Sequence, residues 1–199
     1  MAYYQGNKAH YPNYVPNYPM NKISGLCKIA PSLFISSYEG ANDSNLIRHY
    51  GITCVVNATP DLPNPGTRGV EYLRVPVDDI PTAQLMPHFE YVTQKINQVK
   101  LNGGKTLVHC VAGVSRSATL CIAYLMRYEG LSLLSAHQMV KTARPIVRPN
   151  NGFWKQLIEY EHRMRKMNTV HMVNTCFGSM PNIYTGQYEY YRKVMKYCR

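Results

Sequence analysis

The most constraining feature of the sequence is the stretch from Lys105 to Tyr124, where a short apolar run leads through a glycine-containing loop into a longer apolar segment. Thr106 to Val108 follows two glycines and has the β-prone composition of a strand. From Ser115 onward, small and apolar side chains recur densely enough to predict a buried helix. The sequence therefore predicts a strand, a tight loop and a helix in immediate succession.

The loop of this unit places a cysteine, Cys110, six positions before an arginine, Arg116. If residues 111–116 curve round a common centre, their backbone N–H groups form an anion-binding nest, to which the helix N-terminus adds its positive dipole end. Arg116 would supply two forked donors to a tetrahedral dianion, a planar geometry that lysine does not offer. Such surroundings lower a cysteine pKa from about 8.5 into a range of roughly 3.5–7.5. Cys110 is therefore predicted to be a nucleophile at neutral pH.

A cysteine at the end of a strand is often only a small buried hydrophobe, and this cysteine-to-arginine spacing also occurs by chance. The context here is more restrictive, because His109 precedes the cysteine, Gly113 lies inside the loop and Ser117 follows the arginine. The combination favours a phosphate-binding catalytic loop.

The run His109-Cys110-Val-Ala-Gly-Val-Ser-Arg116-Ser117 resembles the signature of the cysteine-dependent protein tyrosine phosphatases, specifically the dual-specificity branch. The similarity covers residues 24–166 and is greatest to the small atypical members, which lack an added kinase-docking domain. It implies a protein tyrosine phosphatase-like α/β fold, with a mostly parallel central sheet flanked by helices. It also implies hydrolysis of phosphotyrosine and of phosphoserine or phosphothreonine.

Apolar patterns along the rest of the region independently predict alternating strands and helices, hence an α/β layer. One or two edge strands are expected within Ile23–Ile35, a central parallel strand at Ile52–Val56 and a further strand at Val70–Val75. Helices are expected over Ser44–Tyr50, Leu85–Leu101, Leu134–Thr142 and Phe153–Met167. The chain is divided into a flexible tail rich in tyrosine, proline and asparagine (1–22), a catalytic domain (23–167) and a basic, tyrosine-rich tail without clear periodicity (168–199).

An oxygen displaced from phosphorus needs a proton, which a carboxylic acid on a mobile loop usually supplies. Asp78 and Asp79 lie on a proline-bracketed loop that leaves the carboxyl end of a predicted strand, where active sites of such sheets are found. The resemblance places the general acid at the last residue of the Val-Pro-Val-x-Asp stretch, which is Asp79. Asp78 stays the alternative.

The resemblance also implies that Ser117 donates to the departing thiolate, and that His109 orients the loop through hydrogen bonds. Ser117 could otherwise be an ordinary residue of the first helical turn, and Asn150 is either a brace for the loop or a plain turn residue. The substrate phosphate is expected to contact Val111, Ala112, Gly113, Val114, Ser115 and Arg116. Because the nest, the dipole and Arg116 already neutralise phosphate charge, neither a metal nor a cofactor is expected.

Net charge, cysteine spacing and the length of apolar runs limit the partners and the cellular compartment that are expected. The net charge of +11 suits nucleic acid, a membrane surface or acidic partners, but the basic residues are spread out and indicate a solvated face or attraction of phosphorylated substrates. The six cysteines show no paired spacing, which favours a reducing compartment, the cytoplasm or the nucleus. No apolar run approaches the ~20 residues that span a bilayer.

The variable positions of the signature loop contain no lysine, whereas phosphoinositide-directed relatives place lysines there. We therefore expect phosphoprotein substrates, with MAP kinases as candidate targets. A lipid or RNA 5′-phosphate substrate, or a non-catalytic phosphate-binding module, remain the alternatives. A reactive thiolate is also open to oxidation, and Cys54, on a strand expected beside that of Cys110, is predicted to trap it as a disulfide.

Overall fold

The computed structural model of the 199-residue chain describes residues 25–176 and 178–186. The strands of its main sheet are β1 (Cys27–Ala30), β2 (Leu33–Ser36), β3 (Cys54–Asn57), β4 (Glu71–Arg74) and β5 (Thr106–His109). The helices are α1 (Tyr38–Asn42), α2 (Ser44–Tyr50), α3 (Phe89–Leu101), α4 (Arg116–Tyr128), α5 (Leu133–Ala143) and α6 (Asn151–Arg165). The predicted tail at 1–22 lies outside the described residues, as do residues 187–199 of the predicted C-terminal tail.

The sheet has the strand order β1-β2-β5-β3-β4, in which β2, β5, β3 and β4 are parallel and β1 is an antiparallel edge strand. The predicted α/β fold with a mostly parallel central sheet is therefore confirmed. The register aligns Ser36, His109 and Asn57 at the carboxyl ends of three adjacent strands. This edge of the sheet carries the signature loop.

Helices cover both faces of the sheet because successive strand residues point to opposite sides. Val56 and Val108 contribute to the larger core cluster, which includes buried residues of α3, α4, α5 and α6. Their neighbours Val55 and Leu107 contribute to a smaller cluster with Ile47 of α2. The inner strands β2, β3 and β5 are consequently buried along their whole length and mostly apolar, which makes such strands recognisable in a sequence.

Helix α4 is buried along nearly its whole length, from Arg116 to Met126. It follows β5 directly through the signature loop and packs against α3, α5 and α6. A helix enclosed in this way is set rigidly, so the loop at its N-terminus is held in place by the core.

The chain after α6 forms a hairpin of β6 (Met172–Thr175) and β7 (Gly178–Pro181), followed by a short 3-10 turn (Asn182–Tyr184). Met180 and Tyr184 are buried against the main core. The sequence shows no clear periodicity here, because two four-residue strands are too short to produce one. The division of the chain at residue 167 stays a prediction.

None of the helices in the described ranges combines the length and the apolar character needed to cross a membrane.

Candidate active site

The signature loop begins at the end of β5 and is tied to its neighbours through backbone hydrogen bonds. Tyr38 N–H donates to the carbonyl of Val111 at 2.9 Å, and Arg148 N–H donates to the carbonyl of Val114 at 2.9 Å. Gly113 has a φ of +68°, and a Cβ there would lie 2.5 Å from the carbonyl oxygen of Ser36. Both the left-handed backbone and the close approach of β2 therefore require glycine at this position.

Arg144, at the end of α5, is a fully buried residue that sequence reasoning missed. Its Nε donates to the carbonyl of Gly113 and its Nη2 to the carbonyl of Ala112, each at 2.9 Å. Because the C=O and N–H of a trans peptide point in opposite directions, holding these carbonyls outward turns the N–H groups of Gly113 and Val114 inward. The only signal in the sequence was the Arg-Pro pair itself, and nothing local distinguishes a buried arginine from an exposed one.

Cys110 lies at the base of the loop and is 1% exposed. Its Sγ accepts hydrogen bonds from Gly113 N–H and Ser117 Oγ, both at 3.3 Å. Burial by itself would raise the pKa of the thiol, but hydrogen bonds from Ser117 and Val114 and the charge of Arg116 outweigh burial and lower the pKa. These contacts favour the thiolate of Cys110 over the thiol, relative to an ordinary cysteine.

Asp79 lies on the segment that follows β4 and contacts three other site residues. Its Oδ1 accepts from Ser115 Oγ at 2.7 Å and from Asn150 Nδ2 at 2.9 Å, and its Oδ2 lies 3.7 Å from Arg116 Nε. Among the described residues, Asp78 makes no side-chain hydrogen bond or ion pair. The structure thus brings Asp79, rather than Asp78, into the cluster around Arg116.

Asn150 joins α6 to this cluster in three ways. Its Oδ1 accepts from Phe153 N–H at 3.0 Å and so caps α6, while its Nδ2 bonds to Asp79. Its own backbone N–H donates to Ser115 Oγ at 3.1 Å. The two alternatives considered for Asn150, a brace and a turn residue, are therefore combined in one side chain.

His109 is 1% exposed, and its Nδ1 lies 3.2 Å from the carbonyl oxygen of Cys110. Since a carbonyl only accepts, Nδ1 carries the proton. Burial lowers the pKa of His109 to about 4, and the charges of Arg74 and Arg116 act in the same direction against the bond to Cys110. At neutral pH this histidine is uncharged and orients the peptide that follows it.

The expected Cys54–Cys110 disulfide is wrong. Cys54 pairs in register with Thr106, at the opposite end of β5 from the loop. Four further residues at about 3.3 Å each place Cys110 roughly 13 Å beyond that point, well outside the ~7 Å Cα separation that a disulfide allows. Burial, assisted by the charge of Glu71, also raises the pKa of Cys54 to about 11. The two strands are neighbours as predicted, but the residues lie at opposite edges.

The rim of the site is apolar on two sides. Val111 on the signature loop and Ile80 next to Asp79 are 53% and 50% exposed. The base, in contrast, holds the buried guanidinium of Arg116, whose Nη1 donates to the carbonyl of Val77 at 3.1 Å. Its buried Nε has no hydrogen-bond partner among the described residues. The arrangement suits an anion at the base with apolar groups on either side of it.

Comparisons with known proteins agree with this geometry. Residues 33–163 match the family model described as dual specificity phosphatase, catalytic domain. The chain is 47% identical over 167 residues to dual specificity protein phosphatase 18 of Rattus norvegicus, covering 84% of this chain and 82% of that protein. It is 48% identical over 162 residues to dual specificity protein phosphatase 14 of Homo sapiens, covering 81% of this chain and 82% of that one. The crystal structure of human DUSP28 superposes with a TM-score of 0.69 at 44% identity, covering 70% of this chain and 95% of the other.

Proposed function

Because the chain belongs to the dual specificity phosphatase family and is thus a protein phosphatase acting on phosphoproteins, we propose that it hydrolyses phosphotyrosine, phosphoserine and phosphothreonine through a phosphocysteine formed on Cys110. The observation that carries this mechanism is the position of the Cys110 Sγ. It accepts two hydrogen bonds at 3.3 Å in a loop whose N–H groups face inward, and the same loop leads to Arg116, whose Nε lies 3.7 Å from the Asp79 carboxylate.

In the first step, the Cys110 thiolate attacks phosphorus from the side opposite the leaving oxygen. A phosphorus–sulfur bond forms, the ester phosphorus–oxygen bond breaks, and Asp79 transfers a proton to the departing phenol or alcohol oxygen. Arg116 and the inward N–H groups hold the three remaining phosphoryl oxygens. The Nε of Arg116 supports this role, since it is a buried donor that faces Asp79 at 3.7 Å but makes no hydrogen bond among the described residues.

In the second step, water attacks the phosphocysteine. Asp79, now a carboxylate, accepts a proton from that water, the phosphorus–sulfur bond breaks, and inorganic phosphate is released. The sulfur departs as a thiolate, which the hydroxyl of Ser117 stabilises from 3.3 Å. Asp79 is thereby protonated again and can act as the acid in the next turnover.

Acid quenching of the enzyme with a nitrophenyl phosphate, whose leaving group departs without a proton, tests the covalent step. Asp79→Asn should slow the attack of water and accumulate protein carrying one phosphoryl group on Cys110, located by mass spectrometry. Cys110→Ser should carry none and should lose all but a few per cent of turnover, because a serine hydroxyl does not ionise in this loop. Turnover by Cys110→Ser comparable to the parent would rule out the phosphocysteine.

We infer that the substrates are doubly phosphorylated protein segments of the kind found in MAP kinase activation loops. Support comes from a signature loop without lysine and from the apolar rim of Val111 and Ile80, which suits residues flanking a phosphorylated side chain. Activity should be compared in parallel on such peptides, on phosphoinositides and on 5′-triphosphate RNA. Preferred hydrolysis of either non-protein substrate would overturn the inference.

A further inference from the structure

Gln156 is a buried polar side chain of α6 that bonds to the backbone of the segment following Asp79. Its Oε1 accepts from the N–H groups of Leu85 at 2.8 Å and Met86 at 2.7 Å, and its Nε2 donates to the carbonyl of Ala83 at 2.8 Å. The 3-10 turn that begins at Met86 has no side-chain cap of its own. Gln156 therefore supplies that cap from a different helix and fixes residues 83–86 against α6.

A second contact between α6 and the same segment is the close approach of Gly152 to Pro81. A Cβ on residue 152 would lie 1.8 Å from the carbonyl oxygen of Pro81, so no side chain fits there unless the loop moves. Glycine inside a helix costs about 1 kcal/mol relative to alanine. The contact with Pro81 gives a physical reason for a glycine at this helical position.

The contacts at residues 81–86 hold the chain downstream of Asp79, and further contacts hold it at Val77 and at Asp79 itself. Upstream, Arg116 Nη1 donates to the carbonyl of Val77, and at Asp79 itself the carboxylate accepts from Asn150 at the start of α6. The segment from residue 77 to residue 86 is thus fastened at several points, although Asp79 and Ile80 are exposed to solvent. Most of these contacts are made by residues 150–156, at the start of α6, where one side of the helix is buried.

We propose that Gln156, together with the bare backbone of Gly152, is a positioning residue that holds the Asp79 loop in one catalytic conformation, an inference that rests on the proposed role of Asp79 as the general acid. In this proposal the loop is a preorganised part of the site, held by contacts on both sides of Asp79. A general acid must lie within about 2.6–3.2 Å of the oxygen it protonates, and a displacement of about 1 Å can cost about 10²-fold in rate.

The dependence of rate on the leaving group separates this role from a general loss of stability. kcat/KM covers the steps through cleavage of the ester bond, and should be measured on aryl phosphates ranging from an acidic nitrophenol to a phenol with the pKa of about 10 that tyrosine has. Gln156→Ala should lower kcat/KM about 10- to 100-fold for the tyrosine-like phenol. The loss should be below about threefold for the nitrophenol, which departs without a proton.

Glu161→Gln is the matched control, because Glu161 is fully buried on the same helix but bonds to Leu133 and Thr169, away from the Asp79 loop. It should leave the leaving-group dependence unchanged. Gln156→Glu keeps the two accepted bonds and loses the donations from Nε2 to the carbonyls of Ala83 and Gly152, so its selective loss should be smaller than that of Gln156→Ala. Hydrogen exchange of the Leu85 and Met86 amides should accelerate in Gln156→Ala and stay slow in Glu161→Gln.

Asp79→Asn, measured on the same aryl phosphates, distinguishes failure of the positioning role of Gln156 from failure of the proposed role of Asp79 as the general acid. If Asp79→Asn shows the leaving-group dependence but Gln156→Ala lowers kcat/KM equally across the series, the positioning role is wrong and the proposed function stands. If Asp79→Asn shows no such dependence, the acid assignment fails and the role of Gln156 fails with it. If Gln156→Ala does not fold, Gln156→Glu and Gly152→Ala undergo the same test, and an equal loss on all substrates overturns the proposal.

Discussion

At the residue scale, the ionisation of Cys110 depends on donors that can be removed one at a time. Ser117→Ala deletes the hydroxyl 3.3 Å from Sγ and should raise the pKa of Cys110, seen as an upward shift in the pH dependence of alkylation by iodoacetamide. A hydrogen bond to a charged group contributes about 1.5–3 kcal/mol, so departure of the thiolate should slow by about 10- to 100-fold. Thr119→Ala removes a nearby hydroxyl that bonds to the Ser115 carbonyl instead, and should not shift the alkylation profile. Equal shifts in both variants would contradict the role of Ser117.

The choice between the two adjacent carboxylates is also a residue-scale question. Asp79→Asn should lower kcat/KM toward phosphotyrosine peptides by roughly 10²–10⁴, the usual contribution of general acid–base catalysis. Asp78→Asn should have little effect, because Asp78 bonds to none of Ser115, Asn150 and Arg116, which surround its neighbour. The reverse pattern in steady-state assays would assign the acid to Asp78.

At the element scale, the signature loop depends on the support of Arg144 from the end of α5. Arg144→Met should leave the carbonyls of Ala112 and Gly113 without this donor and lower the free energy of unfolding by about 1–3 kcal/mol for the buried Gly113 carbonyl. Arg144→Lys keeps the charge but loses the fork. Both variants should weaken inhibition by inorganic phosphate about 10-fold or more, because the nest is no longer shaped.

Arg165→Met is a suitable control for that experiment. Arg165 is an exposed arginine of α6 that also donates to a backbone carbonyl, that of Gly130, but at a distance from the loop. Its replacement should leave phosphate inhibition unchanged. If inorganic phosphate inhibited Arg144→Lys as strongly as the parent, the planar geometry of Arg144 would not be what shapes the loop.

The strand, loop and helix around Cys110 were predictable because they are contiguous, and their chemistry depends on spacing within one short run. Helix α2 was equally recognisable, since Asp43 accepts from the N–H groups of Asn45 and Leu46 at its start and Gly51 adopts a left-handed conformation at its end. The short hairpin β6–β7 carried no such local signal. Its position is set by packing of Met180 and Tyr184 on the core.

At the scale of the whole molecule, buried neutral histidines make the stability of the fold depend on pH. Burial lowers the pKa of both His109 and His137 to about 4, with the charge of Lys141 acting in the same direction on His137. Between pH 6.5 and pH 4 the unfolded chain binds these protons and the folded protein does not, so stability falls as the pH decreases through that window.

The loss between pH 7 and pH 5 should be about 2 kcal/mol for each histidine. Urea unfolding at the two pH values measures it. His137→Gln retains an acceptor for the hydroxyl of Tyr184, which lies 3.3 Å from His137 Nε2, and should remove one histidine's share of the loss. An unchanged difference between pH 7 and pH 5 in this variant would show that His137 is not a source of the dependence.

The sequence by itself determined the parallel α/β architecture and the pairing of Cys110 with Arg116, because both follow from local periodicity and from spacing along a continuous segment. The family resemblance favoured Asp79 over Asp78, but the contacts of Asp79 depend on tertiary structure, since its hydrogen-bond partners come from segments 36 and 71 residues away. Tertiary structure also decided that Cys54 lies at the far edge of the sheet, because adjacency of strands does not specify their register. Gln156, like Arg144, acts through backbone groups, which are alike in every residue, so no pattern of side chains could have indicated either contact.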